Sequence, residues 1–184
     1  EGYYLGEIAW RGGGERRLIG FHGGSKTGFW VSKRWPYFTE LAERLRRRGY
    51  ECASFGTPAE YVEGTIDMTG GSIGEMARAM TACHYFVSND SGVMNVANAM
   101  GLPVVGLFAP TNVKTRGPLR STSSSIALEK DCSPCEVREA GRAIFHAGEC
   151  RCIGEIPVDR VEAHIVAEMT RLGFMPLGAG KEGA

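Results

Sequence analysis

The stretch "HYFVSNDSGVMNVANAMGLPVVGLFAP", residues 84–110, constrains the fold more than any other part of the sequence. Two short apolar runs, without polar alternation, flank a segment of small residues that ends on Gly101. Runs of this kind belong to strands buried on both faces, as in a parallel sheet. Two parallel strands must be joined by a crossover, usually a helix. Asn89-Asp90-Ser91-Gly92 therefore falls where a strand ends and a helix begins. Open α/β sheets hold their ligands at such junctions.

The same alternation runs along the chain. "RLIGFHG" (17–23) reads as the first strand, "YECASFG" (50–56) as the second and "TIDMTG" (65–70) as a short third. "HYFVSND", "PVVGLFA" and "SSIALE" follow as the fourth, fifth and sixth. Between the first two, "WPYFTELAERLRRRG" (35–49) puts Phe38, Leu41, Ala42 and Leu45 on one helical stripe that Gly49 stops. Arg44, Arg46, Arg47 and Arg48 read as its solvated face. Ser72 to Glu75 form a capping box before a helix expected to turn Ile73, Met76, Ala77 and Met80 inward. "IPVDRVEAHIVAEMTRLG" gives a closing helix, with Pro157 suited to its first turn. The fold expected is α/β: a Rossmann-like, doubly wound parallel sheet with the first and fourth strands adjacent across the switch.

Length and charge set the bounds. The 184 residues suit one domain with a full core. The map expected is a linker or interdomain strap over 1–16, the Rossmann-like domain over 17–175 with a cysteine-rich loop at 131–153, and a flexible tail over 176–184. Lys plus Arg (21) balance Asp plus Glu (21), so no global field draws nucleic acid or an anionic membrane. Any anion must be gripped locally. No apolar run reaches transmembrane length and no signal peptide opens the chain. The expected location is cytoplasmic, at most peripheral to the membrane. The first residue is Glu1 rather than Met, which reads as a piece of something longer.

The two loops that leave the adjacent strands are "HGGS" and "NDSG". Unpaired N–H groups and the dipole at a helix start favour anions. Gly23-Gly24-Ser25 and Asp90-Ser91-Gly92 are both read as such starts, and Lys33 could bring a point charge to a phosphate. Together they suit a diphosphate. The plain alternative is ordinary caps and turns. Neither a G-x-G-x-x-G nor a P-loop signature occurs. An α/β-hydrolase-like serine enzyme is a second alternative, with "HGG" as oxyanion loop and Ser91 as nucleophile. Against it, Asn89 stands where a nucleophile elbow has Gly.

Six cysteines divide into two groups. Cys52 and Cys83 sit singly in apolar contexts and read as core. Cys132-x2-Cys135 and Cys150-x-Cys152 offer four thiolates in a short span, a pattern for structural zinc or iron. Disulfides across the loop are the alternative, and His146 a possible substitute ligand. A nucleic-acid zinc module fits poorly with the balanced charge. A non-catalytic nucleotide-binding module with such a finger is a further reading.

In order along the chain, "IGFHGGS", "KRWPYFTELAERL", "GGSIGEMARAM", "FVSNDSGVMNVANAMGLPVVGLFAPT", "DCSPC" and "CIGEIPVDRV" resemble the C-terminal half of ADP-heptose heptosyltransferases, glycosyltransferases of GT-B architecture. The resemblance covers Arg17 to Met169. It implies a nucleotide-sugar donor, ADP-heptose, held by this half for inverting, metal-independent transfer to a lipopolysaccharide core glycan or a protein. The acceptor and the catalytic base would come from an N-terminal half or a partner chain, so no catalytic base is expected here. Carried over by position, Ser25 and Lys33 meet the donor phosphates and Glu60 the ribose, with Gly24 in the same donor-binding loop. Asp90, Ser91 and Gly92 form the donor-binding Asp-Ser/Thr-Gly, and Thr111 the crevice-facing Pro-Thr. Two departures stand out: Asn95 where the family has His, and Ala109 in place of Gly in "FGPT". Asn can hydrogen-bond a phosphate but cannot carry a proton charge. Cysteine hairpins also occur in relatives, including iron-binding fingers in those that act on autotransporters.

Overall fold

The computed structural model describes residues 17–139, 142–145 and 152–175. The linker of 1–16, the tail of 176–184, Cys150 and His146 lie outside them. The chain forms β1 (Leu18–His22), α1 (Phe38–Arg47), β2 (Glu51–Ser54), β3 (Ile66–Asp67), α2 (Ile73–Met80), β4 (Tyr85–Asn89) and α3 (Gly92–Met100). It continues through β5 (Val104–Phe108), α4 (Val113–Arg116), β6 (Ser124–Ala127), β7 (Glu136–Glu139), β8 (Arg142–Phe145) and α5 (Val158–Arg171).

Strands β1 to β6 form a parallel sheet in the order β3-β2-β1-β4-β5-β6. The chain steps outward from β1 to β3, then returns to β4 beside β1. That return makes the switch point. Side chains alternate across the sheet, and each face has its own core. Ile19, Phe21, Tyr85, Val87, Val105 and Leu107 pack with Leu41, Leu45 and Ile165 of α1 and α5. Leu18, Phe86, Val104 and Phe108 pack with Met76, Met80 and Met94 of α2 and α3. Gly49 (φ +83°) ends α1 and Gly101 (φ +92°) ends α3, where a left-handed backbone favours glycine. Cys52 and Cys83 are core residues, and burial pushes both thiols up to about 12.

Some local expectations are corrected. Ile73 is 64% exposed rather than inward. As the first residue of α2 it precedes the turn whose Met76, Ala77 and Met80 meet the core. Helix α1 begins at Phe38, not Trp35, because buried Trp35 is tied elsewhere and donates from Nε1 to the Ile156 carbonyl at 2.9 Å. Pro157 caps α5 from just outside its first turn. The arginine face of α1 is more than solvated surface. Arg44 pairs with Glu40 (2.7 Å), Glu162 (3.2 Å) and Asp159, and Arg48 with Glu162 at 2.6 Å, so the face ties α1 to α5. Strands β7 and β8 form a separate antiparallel pair between the two cysteine pairs.

Candidate functional site

The parallel pairing of β1 with β4 sets His22 opposite Ser88, so the loops that follow leave the sheet together. Asn89, fully buried at the end of β4, joins them. Its Nδ2 donates to the Gly23 carbonyl at 2.8 Å, and its Oδ1 accepts from the Trp35 N–H at 3.0 Å. The residue that spoils a nucleophile elbow thus acts as a clip that fixes one loop against the other.

The β4 loop is a genuine helix start. Ser91 is the N-cap of α3 and its Oγ accepts from the Met94 N–H at 3.1 Å. Gly92 opens the helix and is exposed, with nothing within 4 Å of where a Cβ would stand. Asn95 is exposed on the next part of α3. Just before them, Asp90 Oδ2 lies 3.0 Å from Lys33 Nζ, both side chains almost fully buried. The ammonium also lies 4.5 Å from the centre of the Trp30 ring, a cation–π contact.

The β1 loop is not a helix start, against expectation. After Gly24 and Ser25 the chain makes a 3-10 turn over Gly28–Lys33 capped by Thr27, and α1 begins only at Phe38. Ser25 braces that turn. Its Oγ donates to the Trp30 carbonyl at 2.7 Å and accepts from Arg34 Nε at 3.2 Å. The turn carries Lys33 back to Asp90, so of the two features read from the sequence this loop has the cation but not the helix start.

Glu60 closes the other side. Its Oε2 accepts from the Thr57 N–H (2.8 Å) and hydroxyl (2.9 Å), and stands 3.4 Å from His22 Nε2. The His22 contact above all, helped by Thr57, pulls this carboxyl down to about 2 despite partial burial. On its other edge, His22 Nδ1 lies 3.1 Å from Ser91 Oγ and 3.4 Å from Ser88 Oγ. Buried His22 thus links Glu60 to the cap of α3. It and Asn89 were missed as site residues. Their signal was a polar side chain ending an apolar strand, where burial demands a partner. The Ser91–His22–Glu60 series has the residue types of an acyl-transfer triad. However, Ser91 is engaged as a cap in extended backbone (φ −151°, ψ 166°), not on a strained elbow.

Thr111 stands apart. It is 2% exposed, its Oγ1 has no hydrogen-bond partner among the described residues, and it lines a cavity of about 510 Å³ beyond β5 and β6. Of the cysteines, Cys132 is exposed, Cys135 and Cys152 are half-buried, and Cys135 Sγ lies 3.9 Å from the Pro110 carbonyl. No group of three or more His, Cys, Asp or Glu among the described residues is placed to hold a metal ion. No helix among the described residues is long and apolar enough to cross a membrane.

Fold and loops together define an open α/β domain whose β1 and β4 loops meet at its switch point. Residues 8–143 match the model of glycosyltransferase family 9 (heptosyltransferase), and the chain belongs to that family. It is 33% identical over 132 residues to lipooligosaccharide heptosyltransferase 2 of Haemophilus influenzae, covering 62% of this chain and 38% of the relative. The structure of E. coli ADP-heptose LPS heptosyltransferase II superposes with a TM-score of 0.62 at 25% identity, over 85% of this chain and 47% of that one. In fold alone, the iron-containing dodecameric heptosyltransferase TibC of enterotoxigenic E. coli, solved with ADP-D-β-D-heptose, gives a TM-score of 0.70 at 16% identity, over 90% of this chain and 48% of that one. The chain spans less than half the length of each of these relatives.

Proposed function

We propose that this chain, over 17–175, is the donor-binding half of a heptosyltransferase that moves heptose from ADP-heptose to a lipopolysaccharide core acceptor. One observation carries the reading: the buried Lys33–Asp90 pair stands beside an α3 N-terminus that Gly92 leaves open. The free N–H groups of α3 and its dipole would receive the diphosphate, with Lys33 shared between Asp90 and a phosphate oxygen. Gly24, Ser25 and Asn95 would border the phosphates, and Glu60 the ribose. The relatives' names supply the sugar and the acceptor class.

In the transfer, the bond from the anomeric carbon to the diphosphate breaks and its electron pair stays on the departing oxygen. Lys33 and the α3 N–H groups stabilise that charge. The acceptor oxygen bonds the anomeric carbon from the opposite face. Its proton goes to a base supplied by an N-terminal half or a partner chain.

Calorimetry with ADP, GDP and UDP tests the reading. ADP should bind most tightly, and Lys33→Met should weaken it by tenfold or more on the scale of a lost charged contact. Because that change strands a buried carboxylate, Lys33→Met/Asp90→Asn serves as the control for folding. It should regain stability without regaining ADP affinity. Failure of all three nucleotides to bind at millimolar concentration would refute the donor role, and a fluorophosphonate adduct on Ser91 would replace it with the hydrolase reading.

A structural zinc or iron on Cys132, Cys135, Cys150 and Cys152 is the second part of the proposal. Sequence spacing alone supports it, with four thiols in a C-x2-C and a C-x-C on one short stretch. The three described thiols do not form a ligand set by themselves. The ion would have to draw the loop together, as metal-coupled folding does.

A further inference from the structure

We propose that buried His22 is a positioning residue for the donor's nucleoside: it fixes the Glu60 carboxylate so that Oε1 receives the ribose hydroxyls. The proposal rests on the donor reading above. It adds how the ribose contact is held, and joins that contact to the phosphate end of the crevice through one imidazole.

The carboxylate is anchored by one oxygen. Oε2 accepts from the Thr57 N–H and hydroxyl and faces His22 Nε2 at 3.4 Å. Oε1 accepts nothing among the described residues, and it reaches solvent. An acidic side chain beyond the second strand of an open α/β sheet is placed to accept from a ribose hydroxyl. Thr57 caps the same 3-10 turn that ends on Glu60, so its two bonds tie the carboxylate only to its own turn. His22 is the contact that ties it to the sheet. It is also the chief cause that pulls the Glu60 carboxyl down.

The imidazole is held on every side. Gly56 lies against the pair: an ideal Cβ there would stand 2.8 Å from His22 Cδ2 and 2.6 Å from Glu60 Oε2. The neighbouring hydroxyls then decide which nitrogen carries the hydrogen. Ser88 Oγ donates to the Asn89 carbonyl at 2.8 Å. Ser91 Oγ accepts from the Met94 N–H, which leaves its own hydrogen for His22 Nδ1 at 3.1 Å. With Nδ1 accepting, the ring hydrogen sits on Nε2, toward Glu60. Ser91, His22 and Glu60 thus form one donor series from the cap of α3 to the ribose carboxylate.

The test compares ADP with 2′,3′-dideoxy-ADP by calorimetry on the full chain. The parent should prefer ADP about tenfold, the scale of a hydrogen bond to a charged group. His22→Asn, whose amide is too short to reach Glu60, should bring that preference to about twofold or less. His22→Gln, whose amide reaches about as far as Nε2, should keep most of it. A fault of folding lowers both affinities and leaves their ratio alone, so an unchanged ratio in His22→Asn overturns the proposal. The parent also offers a check that needs no variant: imidazole ¹⁵N shifts should show a hydrogen on Nε2, and a bare Nε2 overturns the proposal. A parent that binds ADP no better than the dideoxy form overturns it too, and leaves the donor reading standing. Binding of neither nucleotide removes both readings.

Discussion

Glu60 fills the space that a side chain on Gly24 would need: an ideal Cβ at Gly24 would stand 1.8 Å from Glu60 Oε1. The glycine is therefore required by contact, and the loop after β1 lies directly on the carboxylate that pairs with His22. Gly24→Ala should push Glu60 off His22 and cost about 1–3 kcal/mol, the usual range for overpacking. Chemical denaturation would measure it. ADP affinity should fall as well, because His22 also meets the cap of α3. Unchanged stability would mean that Glu60 moves aside freely and does not organise the crevice.

Gly92 presents the opposite case. Nothing lies within 4 Å of its absent Cβ, so the protein itself makes no demand for glycine there. Gly92→Ala should leave stability within about 1 kcal/mol of the parent. If the open helix start receives a diphosphate, the added methyl should weaken ADP binding tenfold or more. Thermal melts and calorimetry on the same protein separate these effects. Undiminished ADP affinity would place the phosphates away from α3.

How much of this was legible in the sequence depends on range. The six strands and their helices followed from apolar runs such as Val104–Phe108 and from stripes such as Phe38, Leu41 and Leu45, since burial on the sheet imposes those periods. Asp90, Ser91 and Gly92 could be placed at a helix start because capping is local. The Gly24-Ser25 loop could not be read so, since its turn is set by contacts from afar: Asn89 on Gly23 and Trp35, and Asp90 on Lys33. His22 and Glu60 meet only because β1 and β2 lie side by side. Ile73 shows the converse error, an apolar residue in phase with a stripe but placed before the helix reaches the core.

Glu60 and His164 are two of several groups that contribute to the acid limb of the stability. Glu60 is held near 2, below its ordinary 4.5, so it contributes stability present above about pH 4.5 and lost as pH falls toward 2. His164, whose Nε2 lies 2.7 Å from Ser124 Oγ and 3.3 Å from Tyr85 OH, is lowered from 6.5 chiefly by burial. Its lowered value means that the unfolded chain takes up the proton first. Stability from this group is full above about pH 6.5 and falls as pH drops below it. Denaturation midpoints followed from pH 8 to pH 3 should thus decline in two stages. Glu60→Gln should flatten the lower stage and His164→Gln the upper. A single decline untouched by either change would show that other groups govern acid unfolding.

The cysteines allow the metal proposal to be tested without reference to activity. Cys52 and Cys83, pushed up to about 12 in the core, should resist alkylation at neutral pH until the protein unfolds. Cys132 is exposed, and in the metal-free chain it should react at once. If Cys132, Cys135, Cys150 and Cys152 hold an ion, purified protein should carry about one zinc or iron per chain, and all four should be protected until a chelator removes it. Cys135→Ser should then lose the metal and speed proteolysis within 131–153. ADP binding should persist, because Lys33, Asp90 and Gly92 sit on other connections of the sheet. Elemental analysis, timed alkylation and limited digestion decide the matter. Metal-free protein with Cys132 reactive and the loop resistant to protease would leave the four thiols without a metal role.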